Sequence, residues 1–519
     1  MKPILLSLFL KLAPTSALQK TLLAQDQYGP SAASAEADAN LIFNSIYAAM
    51  RQWGSSVQHN GMSLFPAYIP EGTLLYHGRG EAERVTGMEW LAFETHHAEM
   101  FAVHWERRKN DSDSETTPGT SVDHWDPRDE LPQHLWAFAE PGRPPFDFSP
   151  GYLHIYQANR PLKLLYLDGM AAAKCDFGPM DTQDLLLLNF TEHKFADGLR
   201  ASQLCELADG WGVEGFIRME CGFEVIKCDF SEGLDFLSHR RRPDRKLVSH
   251  DLFMLDFVRE IANRYDGIGG GRVELDYSSM ISAYFHPANL SNPDQDPNQS
   301  TLPRLVGSNQ NVLDRIKSDL GGALKSSKGP GGIEWQGVAD MIVKRYGARL
   351  LYMAANPPLE SFIAQIHNLL HTFVDYAIPE EEQDPIKTCS MHYLLPVQPT
   401  SEQYRLLHVA FETVTRRICA TLFEVRASLS KKEDSKDIEE LQDTSHEAEL
   451  IRKLNKWLDW ADWKACGQCA LDEVCFIAIF PFGTQDDHYH PHCINAMDLN
   501  DRNRIEKNYW MSNKRAPGE

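Results

Sequence analysis

The sequence predicts an α+β fold, with a mixed β-sheet domain in its first half and a mainly α-helical second half. Three observations carry that expectation. Short apolar segments with period-two alternation cluster between residues 74 and 228. Past Arg240-Arg241-Arg242 the apolar period changes to 3.6. A chain of 519 residues, 43% hydrophobic and 10% aromatic, is also too long for one ordinary core and too apolar to be disordered.

The elements follow in chain order. Residues 1–17 read as a secretory signal: Lys2, then Ile4-Leu5-Leu6-Ser7-Leu8-Phe9-Leu10, then the small residues Thr15-Ser16-Ala17. Ala32 to Gln52 reads as a helix with Leu41, Ile42, Ile46 and Met50 on one face. Pro66 and Pro70 end that helical region before the first strand, Thr73–Tyr76. Trp90–Phe93 is a second strand, followed by a helix from His97 to Ala102. Arg107–Glu130 is polar and reads as a solvated loop. Tyr152–Tyr156 and Leu162–Leu167 are strands. Gln183–Leu188 is apolar and fits helix or strand, while Cys205–Ala208 is helical and stops at Gly210. Gly215–Cys228 reads as a hairpin that pairs Phe216-Ile217 with Val225-Ile226.

In the second half three faces read as buried helix: Trp335/Val338/Ile342/Tyr346/Leu350/Met353, Phe362/Ile366/Leu369/Phe373, and Leu407/Phe411/Val414/Ile418/Leu422/Val425. Thr400 and Gln403 form a capping-box start for the last. The expected domains are thus 18–240, α+β, and 241–519, mainly helical with a Cys/His-rich end.

Charge and cysteines bound the function. A net charge of −22 argues against a nucleic-acid partner, which needs a basic face, and against an anionic membrane surface. No stretch approaches the roughly 20 apolar residues of a membrane span. Ten cysteines and sequons at Asn110, Asn189, Asn289 and Asn298 point to a secreted, disulfide-bonded glycoprotein. Cys466, Cys469, Cys475 and Cys493 lie near His488, His490 and His492. If extended, that segment puts the histidines on one face, as zinc needs, but the spacing matches no standard zinc finger. A disulfide knot is the simpler reading. One of the first three cysteines is expected to bond Cys493, clamping Phe476–Phe482 against a helix that begins near Ile451 and runs through Trp457, Trp460 and Trp463. Asp266–Gly271 follows a helical pattern and reads as a flexible turn rather than a phosphate loop. The carboxylates Asp168, Asp181 and Asp184 read as loop caps, with a metal site as the alternative.

Four segments taken together resemble the strand order of ADP-ribosyltransferase-like domains over about residues 70–230. They are Leu74-Leu75-Tyr76-His77-Gly78, Trp90–Phe93, Tyr152–Tyr156 with Arg160–Leu165, and Gly222-Phe223-Glu224-Val225-Ile226. The resemblance implies an NAD-dependent transferase or NAD glycohydrolase, with NAD as cofactor. It implies His77 and Glu224 as the catalytic pair and Tyr76, Trp90 and Phe93 as cofactor contacts. The second motif departs from the family in offering Trp90 or Phe93 where a Tyr or Ser-Thr-Ser stands, and Glu214 and Glu220 compete with Glu224. The chain also resembles uncharacterised secreted fungal proteins with Leu-Tyr-His-Gly, Leu-Tyr-Leu-Asp-Gly-Met and Asp-Thr-Gln-Asp runs, some encoded in secondary-metabolite gene clusters. That resemblance says little about activity; the missing second motif and the large helical portion, on the order of a full domain, point to the alternative of a non-catalytic secreted glycoprotein binding a partner or a metabolite.

Overall fold

The computed structural model describes residues 26–107, 146–192, 195–243, 250–293, 302–395, 401–433, 443–499 and 509–510. The signal reading, the sequons at Asn110 and Asn298, most of the Arg107–Glu130 loop and the Thr400 cap lie outside them.

The chain is α+β. Helices α1 (Ala32–Ala37), α2 (Ala39–Ala48) and α3 (Gln52–Val57) precede the sheet. The strands are β1 (Asn60–Ile69), β2 (Leu74–Arg79), β3 (Glu89–Ala92), β4 (Val103–Arg107), β5 (Phe146–Pro150), β6 (Tyr152–Ala158), β7 (Leu162–Gly169), β8 (Gly215–Met219), β9 (Phe223–Lys227), β10 (Leu234–Arg241), β11 (Glu274–Leu275) and β12 (Ile281–Ser282). Helix α4 (Thr95–Glu99) follows β3, a π-helical turn covers Thr182–Leu188, and α5 (Asp197–Trp211) leads into β8. Ten of these strands form one mixed sheet in the order β10-β6-β2-β3-β9-β8-β7-β1-β11, with β12 beside β1; β4 and β5 pair separately. Among the described strands only β7 and β8 pair in parallel.

The expected hairpin forms in the expected register: Phe216 faces Ile226 and Ile217 faces Val225. The helical start is broken into α1–α3, and β1 corrects the reading of Pro66 as a terminator. Pro66 sits mid-strand because its carbonyl, which accepts from Asp276, points away from β7. On that side β11 pairs with Ala67 and Tyr68 and β12 with Ser63 and Leu64, so the missing N–H falls in the gap between two short strands.

The second half is helical: α6 (His250–Ala262), α7 (Gln310–Ser326), α8 (Trp335–Ala354), α9 (Leu359–Leu370), α10 (Pro385–Met391), α11 (Glu402–Glu433) and α12 (Ser445–Leu458). Every residue of the three apolar faces read from the sequence is buried. The core is continuous across residue 240: Phe43 of α2 packs on Phe411 of α11 with ring centroids 4.9 Å apart, and β11 and β12 extend the sheet beyond that point. Among the described residues no helix is long and apolar enough to cross a membrane.

Four disulfides join Cys205–Cys228, Cys389–Cys419, Cys466–Cys475 and Cys469–Cys493. The last is the expected kind of clamp to Cys493. It differs in detail, since α12 ends at Leu458 where Asp459 turns left-handed, and the cysteines lie beyond it. Strands β13 (Glu473–Phe476) and β14 (His492–Asn495) pair there, with α13 (Gln485–Tyr489) between them and α14 (Ala496–Leu499) after. His488 is therefore helical and buried while His490 is exposed, so the three histidines do not line one extended face.

Candidate functional site

Alternation along the strands decides which side chains meet. Tyr76 pairs with Ala92, Ala92 with Glu224, and Glu224 with Arg218. These four share one face, and Trp90, two residues from Ala92, joins them. His77 takes the opposite face, with Leu91 and Val225. The sheet thus separates the two residues singled out as a catalytic pair. Phe93, just past β3, is buried in the main core.

Each of the pair is already occupied. His77 is buried, its Nδ1 is 2.7 Å from the Trp90 carbonyl, and its ring meets His154 and Phe230. Burial lowers its pKa to about 3, against the Trp90 bond that raises it, so it is neutral at ordinary pH. Glu224 accepts from Arg218 Nε at 2.6 Å. The same guanidinium donates to Gln183 at 3.0 Å and to both carboxylate oxygens of Asp197, at 3.1 and 2.6 Å. Lys174 bonds Glu220 at 2.9 Å and lies 3.4 Å from Asp197. Arg200 donates to Asp184 and Asp197. Burial alone would push the Asp197 pKa up, but Arg218, Lys174 and Arg200 hold it well below the usual carboxylate range. This is a buried, mutually paired network with its charges satisfied. Glu214, the other rival, bridges Arg160 and Lys227 at the sheet margin.

A second polar region looks different. It is a small cleft of about 90 Å³ where the end of β7 faces α2, the start of β1 and the segment from Asp459 to Tyr489. Asp168 is part of its lining. It lies on the His77 face, two residues after Tyr166, but four strands away, roughly 19 Å at the usual strand spacing. The close approach beneath it requires glycine twice. Gly169 has φ +69°, and a Cβ on Gly61 would stand 2.1 Å from the Asp168 carbonyl.

Asp168 is buried and accepts from the Gly169 N–H at 2.8 Å. Burial raises its pKa to about 7, against the Ser45 hydroxyl and the Gly169 amide, and among the described residues no cation ion-pairs with it. Tyr284, also buried, brings a hydroxyl with no hydrogen bond among the described residues. His488 Nδ1 is buried and unpartnered, and burial pushes its pKa well down. Lys464 Nζ, also in the lining, lies 5.6 Å from the Tyr489 ring centroid and makes no ion pair among the described residues. Burial lowers its pKa, against the pull of Asp459, whose own pKa burial raises. Behind the wall, His59 bridges Asn60 Oδ1 and the Tyr509 hydroxyl, at 2.7 and 2.9 Å, and Tyr509 stacks on His488 at 4.3 Å.

Sequence reasoning missed this site because its residues come from five separate segments. The available signal was Asp168, a carboxylate in the apolar run Leu164-Leu165-Tyr166-Leu167 just before a glycine. The other candidates hold no open position. Asp181 is taken by Arg304 and the Leu305 amide, and Asp184 by Arg200. Among the described residues only Cys466, Cys469 and Cys493 come together with metal-ligand spacing, and all three are disulfide-bonded.

Residues 34–134 and 142–247 match the YPL277C N-terminal domain family. Two proteins of Saccharomyces cerevisiae, the uncharacterized proteins YPL277C and YOR389W, are each 37% identical over 213 residues, or 37% of this chain. The match spans 41% of the first relative and 32% of the second, well under two thirds of either. The similarity to uncharacterised fungal proteins thus lies in the sheet-bearing half. No solved structure matches. The matched segments contain Ser45, Asn60 and Asp168 of the cavity lining. Lys464, His488 and Tyr489 lie outside them.

Proposed function

We propose that this chain is a secreted, disulfide-braced binding protein whose ligand is a small metabolite held in the cavity lined by Asp168 and Lys464. The observation that carries this reading is the contrast in pairing. The Arg218–Glu224 network is full, whereas at the cavity Asp168 meets an amide and a hydroxyl but no cation among the described residues, and the buried His488 Nδ1 has no partner there. Buried polar groups without partners cost free energy unless something supplies the missing bonds. Perturbed titratable groups gathered in a cleft are a mark of ligand sites. Four disulfides fit an oxidising compartment, and the described sequons at Asn189 and Asn289 are exposed, as glycan acceptors must be.

The test is retention of small molecules. Protein incubated with a mixed metabolite panel, desalted and weighed by native mass spectrometry should carry added mass. Leu302→Trp, which places a bulky ring at the cavity lining, should lose it, and Glu224→Gln should keep it. Retention lost in Glu224→Gln but kept in Leu302→Trp would overturn the assignment.

The second reading is an NAD-dependent ADP-ribosyltransferase or NAD glycohydrolase centred on Glu224. It draws on Tyr76, Trp90 and Glu224 sharing one face of β2, β3 and β9. Under that reading NAD is consumed with release of nicotinamide, and Glu224→Gln stops it.

A further inference from the structure

Charge in the cavity lining does not balance within the fold. Among the described residues the lining carries two carboxylates, Asp168 and Asp459, and one ammonium, Lys464. Asp459 and Lys464 act on each other: against the effect of burial, each favours the charged form of the other. Asp168 has no such counterpart. Its side chain is buried, its partners are the Gly169 amide and the Ser45 hydroxyl, and among the described residues no cationic group acts on it. His488 adds no charge near neutral pH, because burial holds its pKa well down. The lining therefore lacks one positive charge.

The hydrogen-bonding groups around that carboxylate are also incomplete. An ionised carboxylate accepts at roughly four lone-pair positions, and one amide and one hydroxyl leave others open. Two more buried polar groups line the same cleft. One is the Tyr284 hydroxyl, whose pKa is raised first by burial and then by the Asp168 charge. The other is His488 Nδ1, which has no partner. A metal ion would need several ligand atoms converging on it. Among the described residues Asp168 belongs to no group of three His, Cys, Asp or Glu side chains with that spacing. An organic ammonium has no such requirement: it brings the charge and three N–H donors on one atom. Leu41, Ala48, Val57 and Leu302 of the lining suit a hydrocarbon body, and about 90 Å³ gives space for a handful of non-hydrogen atoms.

Resting on the metabolite-binding reading above, we propose that the cavity ligand is a small organic amine, bound as its ammonium against the Asp168 carboxylate. The ion pair supplies what the fold leaves out at Asp168, as Arg218 does for Glu224.

The experiment is isothermal titration calorimetry of the full chain, disulfides intact, with isobutylamine, isobutanol and isobutyrate. The probes share a branched carbon body and differ in the head: ammonium, neutral hydroxyl or carboxylate. At pH 8 Asp168 is ionised and the amine is still protonated. Isobutylamine should bind saturably, isobutanol should bind weaker by on the order of tenfold or more, the usual scale for losing a charged hydrogen bond, and isobutyrate should not bind. Asp168→Asn should abolish the preference for isobutylamine over isobutanol, and Glu224→Gln should keep it. The three wild-type titrations decide the matter even if Asp168→Asn fails to fold. Isobutanol or isobutyrate binding as tightly as isobutylamine, or a preference that survives Asp168→Asn, overturns the amine. Binding of none of the three also overturns it, and metabolite retention then separates the two readings. Mass retained by wild type and lost in Leu302→Trp keeps the cavity as a site for another ligand, whereas retention that ignores Leu302→Trp, or no retention, defeats the cavity itself.

Discussion

The Arg218 network and the Asp168 cavity both bury carboxylates in one sheet, and they treat them in opposite ways. Around Arg218 each carboxylate meets a guanidinium or ammonium within 3.4 Å, and Gln183 fills the remaining donor. Around Asp168 the partners are an amide and a hydroxyl, and among the described residues no cation ion-pairs with it. Removing charge from water is costly in both places. In the first the fold supplies compensation and gains a rigid junction between β8, β9 and α5. In the second it supplies none, which leaves room for a ligand to do so. The contrast separates scaffold from site more sharply than residue type, because Glu224 and Asp168 are both carboxylates on buried strands.

Breaking the scaffold should have the largest effect. Arg218→Met leaves Asp197 and Glu224 buried without their main partner and should cost about 3–5 kcal/mol, read as a lower urea midpoint. Removing the clamp comes next. Cys469→Ser with Cys493→Ser opens a disulfide with a sequence separation of 24 residues and should cost roughly 3 kcal/mol, lowering the melting temperature. Hydrogen exchange should then rise along residues 473–495, which carry the His488 wall.

The cavity should behave in reverse. The folded-state pKa of Asp168 is raised to about 7 from 3.8. Between those values the native state holds a proton that the unfolded state has lost. Asp168 therefore makes stability fall as pH rises from about 4 to 7, with the full penalty present above 7. Asp168→Asn should remove that slope and make the protein more stable than wild type at pH 8, by a few kcal/mol at most. Loss of stability at pH 8 would mean that Asp168 is paired like Glu224. The smallest effect belongs to His77. With a folded pKa of about 3 it opposes folding only as pH falls below about 6.5, so His77→Gln should leave stability between pH 7 and 8 nearly unchanged while flattening the acid limb.

Local pattern was legible in the sequence where contacts are local. Phe216 and Ile226 meet across a three-residue connection, and the face from Leu407 to Val425 is set by helical period alone. Strand β1 was hidden because Pro66 is allowed only by a gap between β11 and β12, some 210 residues away. The facing of His77 and Glu224 was hidden for a related reason: opposite faces follow from the pairing of Tyr76 with Ala92 and Ala92 with Glu224, which no segment encodes by itself. The cavity was least legible, since Asp168 and Lys464 come to line one cleft only after the segment following α12 has folded back onto α2.

Hydrogen–deuterium exchange of the protein with and without the retained metabolite compares the two regions most directly. Protection is expected at residues 45–60, 166–170, 284 and 459–489, with β2, β3 and β9 unchanged. Protection confined to residues 74–92 and 215–227, with none around Asp168, would contradict the account and return the site to Glu224.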